Sequence, residues 1–160
     1  MLEWLTNTEY ADWVRTSWGW PFALTLHAFG NGTVIGITFI ICLRLLGLFR
    51  TIPYTSLPRL IPVIWVAVIV QVFSGTTLWM TKPARYLSDG MFEFKLTFVF
   101  IGIVLTWYFQ GTLRAEAAKW QAAGTVSNRG IRLVALAALA WAAVLTTGRL
   151  TAYLGQLYHA

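Results

Sequence analysis

Long apolar segments alternate with short polar ones along this chain, and their lengths predict the fold. About 20 consecutive apolar residues in a helix are enough to cross roughly 30 Å of hydrocarbon. Segments of that length predict transmembrane helices over 21–43, 60–80, 92–113 and 131–154. No internal repeat or domain boundary separates them. The predicted fold class is an all-α, integral-membrane four-helix bundle that forms a single domain over residues 1–160.

A shorter amphipathic segment precedes the first span. Thr6 and Glu9 have the spacing of a capping box, and Tyr10 and Val14 then lie on one helical face. We expect a helix over about 7–17 in the plane of the membrane interface, where aromatic side chains are enriched. The alternative is a polar tail without fixed structure.

Composition supports the membrane assignment and narrows the classes of function. Hydrophobic residues make up 58% of the chain and charged residues only 11%, which is more apolar than soluble domains are. The net charge of +6 comes mostly from residues that flank the spans, so we expect no nucleic-acid partner. A single cysteine, Cys42, and two histidines disfavour a zinc or iron–sulfur site built from this chain alone.

The distribution of lysine and arginine predicts an orientation in the membrane. Connections that face the cytoplasm carry the excess of these residues. The first and third connections, with the helix ends that border them, hold the larger group: Arg44, Arg50, Arg59, Arg114, Lys119, Arg129 and Arg132. The opposite side holds the smaller group: Arg15, Lys82, Arg85 and Lys95. This favours a bacterial inner (cytoplasmic) membrane, with both termini on the periplasmic side.

Polar and small residues inside the spans predict which helix faces turn inward. The first span carries Gly30, Gly32 and Gly36, the second carries Gln71, Ser74 and Gly75, and the third carries Lys95, Gly102, Thr106 and Gln110. Glycines at such positions allow close approach of a neighbouring helix. Polar side chains in hydrocarbon are costly, so they should face other helices, a ligand or water.

One set of polar residues falls at a similar depth in the leaflet nearest the termini. All four spans contribute to it: His27, Ser74, Gly75, Lys95, Arg149 and Tyr153. Each could have a purely structural role, with the histidine bonded to a nearby hydroxyl and the lysine snorkelling to the interface. Together they form a candidate pocket with an imidazole at its base and cations nearer water.

Such a pocket suits a flat, apolar molecule with anionic groups at one edge. Haem b fits this description: His27 would be an axial ligand of the haem iron, and Lys95 and Arg149 would pair with the propionates. A quinone fits in part, with His27 as a hydrogen-bond donor. Copper fits less well, because Met80 and Met91 add few ligands to one histidine. The other predicted cofactor-binding residues are Ser74, Gly75 and Tyr153.

Four stretches carry a resemblance to known proteins: LTLHAFGNG, CLRLLG, RLIPVIWVAVIVQVFSGTTLW and FEFKLTFVFIGIVLTW. Over about 18–113 the chain resembles a group of small bacterial four-helix membrane proteins. More distantly it is similar to the copper-resistance D (CopD) membrane domain and the HemJ-type protoporphyrinogen oxidase. In HemJ-like proteins the histidine matching His27 is implicated in haem b binding, and a lysine stands where Lys95 does. Those proteins have a further histidine where this chain reads TWY at 106–108, so bis-histidine ligation is not implied.

These features predict a membrane-embedded cofactor-binding protein, with haem b, in electron transfer or as the membrane partner of a redox system. Expected partners are the lipid bilayer, other membrane or periplasmic redox proteins, or further copies of the chain. Whether it is an enzyme stays open, as does the second axial ligand, for which His159 of another chain is one candidate. Two alternatives remain: a copper-handling or transport protein, and a structural or accessory subunit of a membrane complex.

Overall fold

Every long element of this protein is a helix. The computed structural model describes the backbone of residues 3–88 and 90–157, and the side chains of 4–88 and 90–150. The helices are α1 (Glu3–Thr6), α2 (Glu9–Thr16), α3 (Gly19–Leu45), α4 (Ile61–Thr81), α5 (Pro83–Leu87), α6 (Gly90–Ala123) and α7 (Asn128–Leu157), and a 3-10 helix at Tyr54–Leu60 precedes α4. The described residues include no strand.

Four of these helices, α3, α4, α6 and α7, are long and apolar enough to cross a membrane. The predicted all-α, multi-pass membrane fold is therefore confirmed. The largest difference from the predicted bounds is in α6, which continues past residue 113 to Ala123. Residues 114–123 are mostly strong helix formers, so the helix extends through polar sequence. It ends before Gly124, whose φ of +67° suits glycine.

The amphipathic segment at the N-terminus is helical over a shorter stretch than predicted. The predicted cap at Thr6 is wrong, because the N-cap of α2 is Thr8, whose Oγ1 accepts a hydrogen bond from the Ala11 amide at 3.2 Å. Ala11 and Val14 are fully buried, and α2 packs against α3 and α4. Its Tyr10 hydroxyl lies 3.0 Å from Thr77 Oγ1 of α4. The segment is thus attached to the bundle by both apolar and polar contacts.

The bundle is closely packed at one end and leaves space beside α6 at the other. α3 packs on α4 and α7, α6 packs on α7, and the 3-10 helix packs on α6. The large buried aliphatic residues, among them Ile41, Leu57, Ile61 and Leu113, lie in the half that contains the 3-10 helix. In contrast, α6 has no buried residue before Gly102. The first three turns of α6 therefore leave space between the helices.

The predicted inward glycines differ in their surroundings. A Cβ on Gly30 would lie 3.1 Å from the Ala67 carbonyl oxygen, so α3 and α4 approach closely there. Gly32 and Gly36 have nothing within 4 Å of that position, and the prediction of close helix contact is wrong for these two. A Cβ on Gly102 would lie 2.9 Å from Cε2 of Trp141.

We expect Gly102→Ala to destabilise the bundle. Trp141 is fully buried and its indole N–H donates to Thr106 Oγ1 at 3.0 Å, so the ring cannot move aside without losing this bond. Overpacking of this kind typically costs about 1 to 3 kcal/mol. The measurement is thermal unfolding in detergent. Gly111→Ala is the control, because that glycine lies on the same helix with nothing within 4 Å; equal effects of the two substitutions would contradict the packing argument.

Candidate functional site

The site is built around the imidazole of His27, roughly 12 Å along α3 from its first residue. Its Nδ1 lies 3.2 Å from the Gln71 backbone oxygen and 3.1 Å from Ser74 Oγ, both on α4. The Ser74 hydroxyl donates its own hydrogen to the Val70 carbonyl at 2.7 Å. Both neighbours of Nδ1 therefore accept, so Nδ1 carries the ring proton and Nε2 keeps its lone pair.

Gly75 provides the space in which this ring lies. A Cβ at this position would be 3.1 Å from His27 Cε1 and 3.4 Å from Nδ1. Any side chain there would press on the ring that bonds to Gln71 and Ser74. A glycine one turn after Gln71 thus lets the imidazole lie directly on the backbone of α4.

Lys95 of α6 contacts the other edge of the imidazole. Its Nζ lies 3.3 Å from His27 Nε2 and donates to the lone pair there. The end of its aliphatic chain rests on α7, where a Cβ on Gly148 would be 3.5 Å from Lys95 Cε. Among the side chains that the structure describes, no carboxylate lies within salt-bridge distance of Lys95. Lys95 is therefore directed into the bundle, towards a neutral partner.

A second polar contact, between Gln71 and Asn31, lies about one helical turn from the contacts of His27. Gln71 is only 5% exposed, and its Nε2 donates to Asn31 Oδ1 at 2.7 Å. The other atom of this amide, Gln71 Oε1, is buried without a hydrogen-bond partner. Asn31 lies one turn after His27 on α3, and Gln71 lies one turn before Gly75 on α4. The polar residues of each helix therefore lie on the same helix face.

Two cavities flank the His27 and Lys95 side chains, and both residues line each of them. The first, of about 290 Å³, lies between α4 and α6 and has mostly apolar walls. The second, of about 830 Å³, lies between α3 and α7 and also contacts Asn31 and Arg149. The imidazole and ammonium groups are thus accessible from two sides.

The structure brings four of the predicted residues into direct contact: His27, Ser74, Gly75 and Lys95. Arg149 is exposed and reaches this group only as part of the wall of the larger cavity. The side chain of Tyr153 and all of His159 lie outside the described residues. Sequence reasoning did not include Gln71 and Asn31 in the site, although their helical spacing from Gly75 and His27 is a signal that could have found them.

Comparisons of the chain with protein-family models, with curated proteins and with solved structures give no match. Within residues 4–88 and 90–150, no three His, Cys, Asp or Glu side chains come together as metal ligands. The chemistry available at the site is that of one imidazole whose Nε2 accepts from an ammonium group, together with an unsatisfied amide oxygen.

We expect the proton of His27 to reside on Nδ1 in the purified protein. Both α4 acceptors require it there, whereas Nε2 accepts from Lys95. The ¹⁵N resonances of histidine-labelled protein in a membrane mimetic check this, with Ala substituted at His159 to remove the second signal. A protonated Nε2 beside a bare Nδ1 would contradict the assigned tautomer.

Proposed function

We propose that this multi-pass membrane protein binds haem b through His27 and acts in electron transfer, or as the membrane partner of a redox system. The observation that carries the proposal is the orientation of the imidazole. Its Nδ1–H donates to a backbone carbonyl, its Nε2 accepts from Lys95, and the residue lines a large cavity. Metal-ligating histidines commonly donate their other N–H to a carbonyl or carboxylate, which fixes the ring and raises its basicity.

The larger cavity supports this proposal by its size and by the charge along its wall. Its volume of about 830 Å³ lies within the usual range of about 300–1,000 Å³ for ligand and cofactor pockets. Arg149 and Lys95 supply cations for the propionates of haem. When bound, haem would supply one-electron redox chemistry, while the protein supplies an apolar environment and fixed charge.

Lys95 and haem iron would compete for the same lone pair. Nε2 has one lone pair, and Lys95 Nζ occupies it at 3.3 Å. His27 would ligate iron once the ammonium group turns away, and the same ammonium group would then be available to a propionate. Lys95 is in this view a positioning residue that keeps a half-buried imidazole partnered until the cofactor arrives.

The alternatives of copper handling and of an accessory role are supported by fewer features of the site. The described ranges contain one histidine and no grouping of His, Cys, Asp or Glu ligands, whereas a closed copper site needs several soft or imidazole ligands. An accessory subunit would not need an imidazole and an ammonium group beside a cavity. We further propose a bacterial inner membrane with both termini periplasmic, which puts His27 in the periplasmic half.

We expect the protein, expressed with haem supplied and purified in detergent, to show a Soret band that His27→Ala abolishes. The reason is the loss of the axial ligand. Absorption spectra with pyridine haemochrome analysis give the haem content per chain. Phe39→Ala, a lipid-exposed change on the same helix outside both cavities, should retain it. Colourless wild-type protein would overturn the proposal.

Gly75→Ala should weaken haem binding without removing any ligand. The new methyl group would lie 3.1 Å from His27 Cε1, so the ring must shift by about a few tenths of an ångström against its acceptors on α4. We expect about a tenfold loss of affinity, equivalent to about 1.4 kcal/mol, in haem titrations followed by absorbance. Gly36→Ala adds the same methyl group to open space and serves as the control. Unchanged affinity in Gly75→Ala would show that the position of the His27 ring against α4 does not affect haem binding.

A further inference from the structure

The smaller cavity has properties that the haem proposal does not use. It lies between α4 and α6, beside the turns of α6 that precede Gly102, the first buried residue of that helix. Its volume of about 290 Å³ falls at the lower limit of ligand pockets, about 300 Å³. A single substituted ring fits this space, whereas a macrocycle does not.

One end of this cavity is polar and includes a buried acceptor that no donor satisfies. Gln71 and Lys95 both line it, and they bond to opposite edges of the same His27 ring. Gln71 Oε1 is buried without a partner, which is rare for a polar atom in a folded protein. A hydroxyl group would donate to this oxygen while its own oxygen accepts from Lys95. A carbonyl group could only accept.

The remaining walls are apolar and partly aromatic. Trp79, Phe92 and Trp141 present rings to the space, and aromatic rings pack well against another flat ring. Val72 and Leu96 also line the cavity, yet they are 52% and 51% exposed on the lipid-facing side. The opening therefore leads towards the bilayer, where an alkyl tail would lie.

We propose that the cavity between α4 and α6 is a second ligand site, for the ring of a lipid-soluble quinol that enters from the bilayer. Its ring hydroxyl donates to Gln71 Oε1 and accepts from Lys95, its ring lies among the tryptophan and phenylalanine side chains, and its tail leaves past Val72. The reduced form binds more tightly than the quinone, because only the quinol brings the missing donor. This site does not depend on haem.

The test measures equilibrium binding of a decyl-tailed 1,4-benzoquinol and of its oxidised quinone to the purified protein in nanodiscs, by chromatography of the bound fraction. We expect saturable binding of about one quinol per chain and at least tenfold weaker binding of the quinone. Gln71→Met keeps the size of the side chain, removes the amide oxygen and should abolish the preference for the quinol.

Val72→Trp blocks the opening from a lipid-exposed position and should reduce quinol affinity at least tenfold. Val66→Trp is the matched control, because Val66 is 60% exposed on the same helix and lines neither cavity. Neither change touches the buried core, so both variants should fold. Haem content measured on the same samples should stay unchanged, which separates failure of this site from failure of the haem site.

Three results would overturn the inference. Quinol binding that does not saturate, or that Val72→Trp and Val66→Trp affect equally, would show partition into lipid only. Equal affinity for quinol and quinone in the wild-type protein would show that water, and not a ligand, satisfies Gln71. Tighter binding of the quinone would mean that this wall of the cavity donates.

Discussion

The contact on which the open half of the bundle depends is the hydrogen bonding of one imidazole to the backbone of α4. In hydrocarbon every polar group needs an internal partner, and His27 finds acceptors in the Gln71 carbonyl and the Ser74 hydroxyl. That arrangement settles where the ring proton lies and leaves Nε2 for Lys95 of α6. Three helices, α3, α4 and α6, are thus joined through a single ring.

The other half of the bundle supplies rigidity. There, indole N–H groups find buried acceptors across helices: Trp65 donates to Gln110 Oε1 at 2.8 Å, and Trp141 donates to Thr106 Oγ1 at 3.0 Å. The Arg44 guanidinium stacks on the Tyr54 ring, with its carbon 3.8 Å from the ring centroid. These contacts fix α4, α6 and α7 at one end. At the other end α6 can therefore diverge from α4 without loss of the fold. The cavities lie in that divergent region.

The proposed role in electron transfer would use one imidazole that lies between two cavities of different size. The larger space has an arginine along its wall, and the smaller has a buried acceptor and aromatic walls. Haem in one and a quinol ring in the other would both contact His27 and Lys95. This proposed pairing connects the geometry to a redox role without any further catalytic group.

The sequence by itself determined the four spans and the inward faces that carry Ser74, Gly75 and Lys95, since segment length and helical period depend only on local order. It could not determine which neighbour each residue meets. That His27 bonds to α4 and faces Lys95, while Arg149 stays at a cavity wall and Gly32 and Gly36 face open space, was decided only by the tertiary structure. The physical reason is that the order in which helices pack, and where they diverge, depends on contacts between residues far apart in the chain.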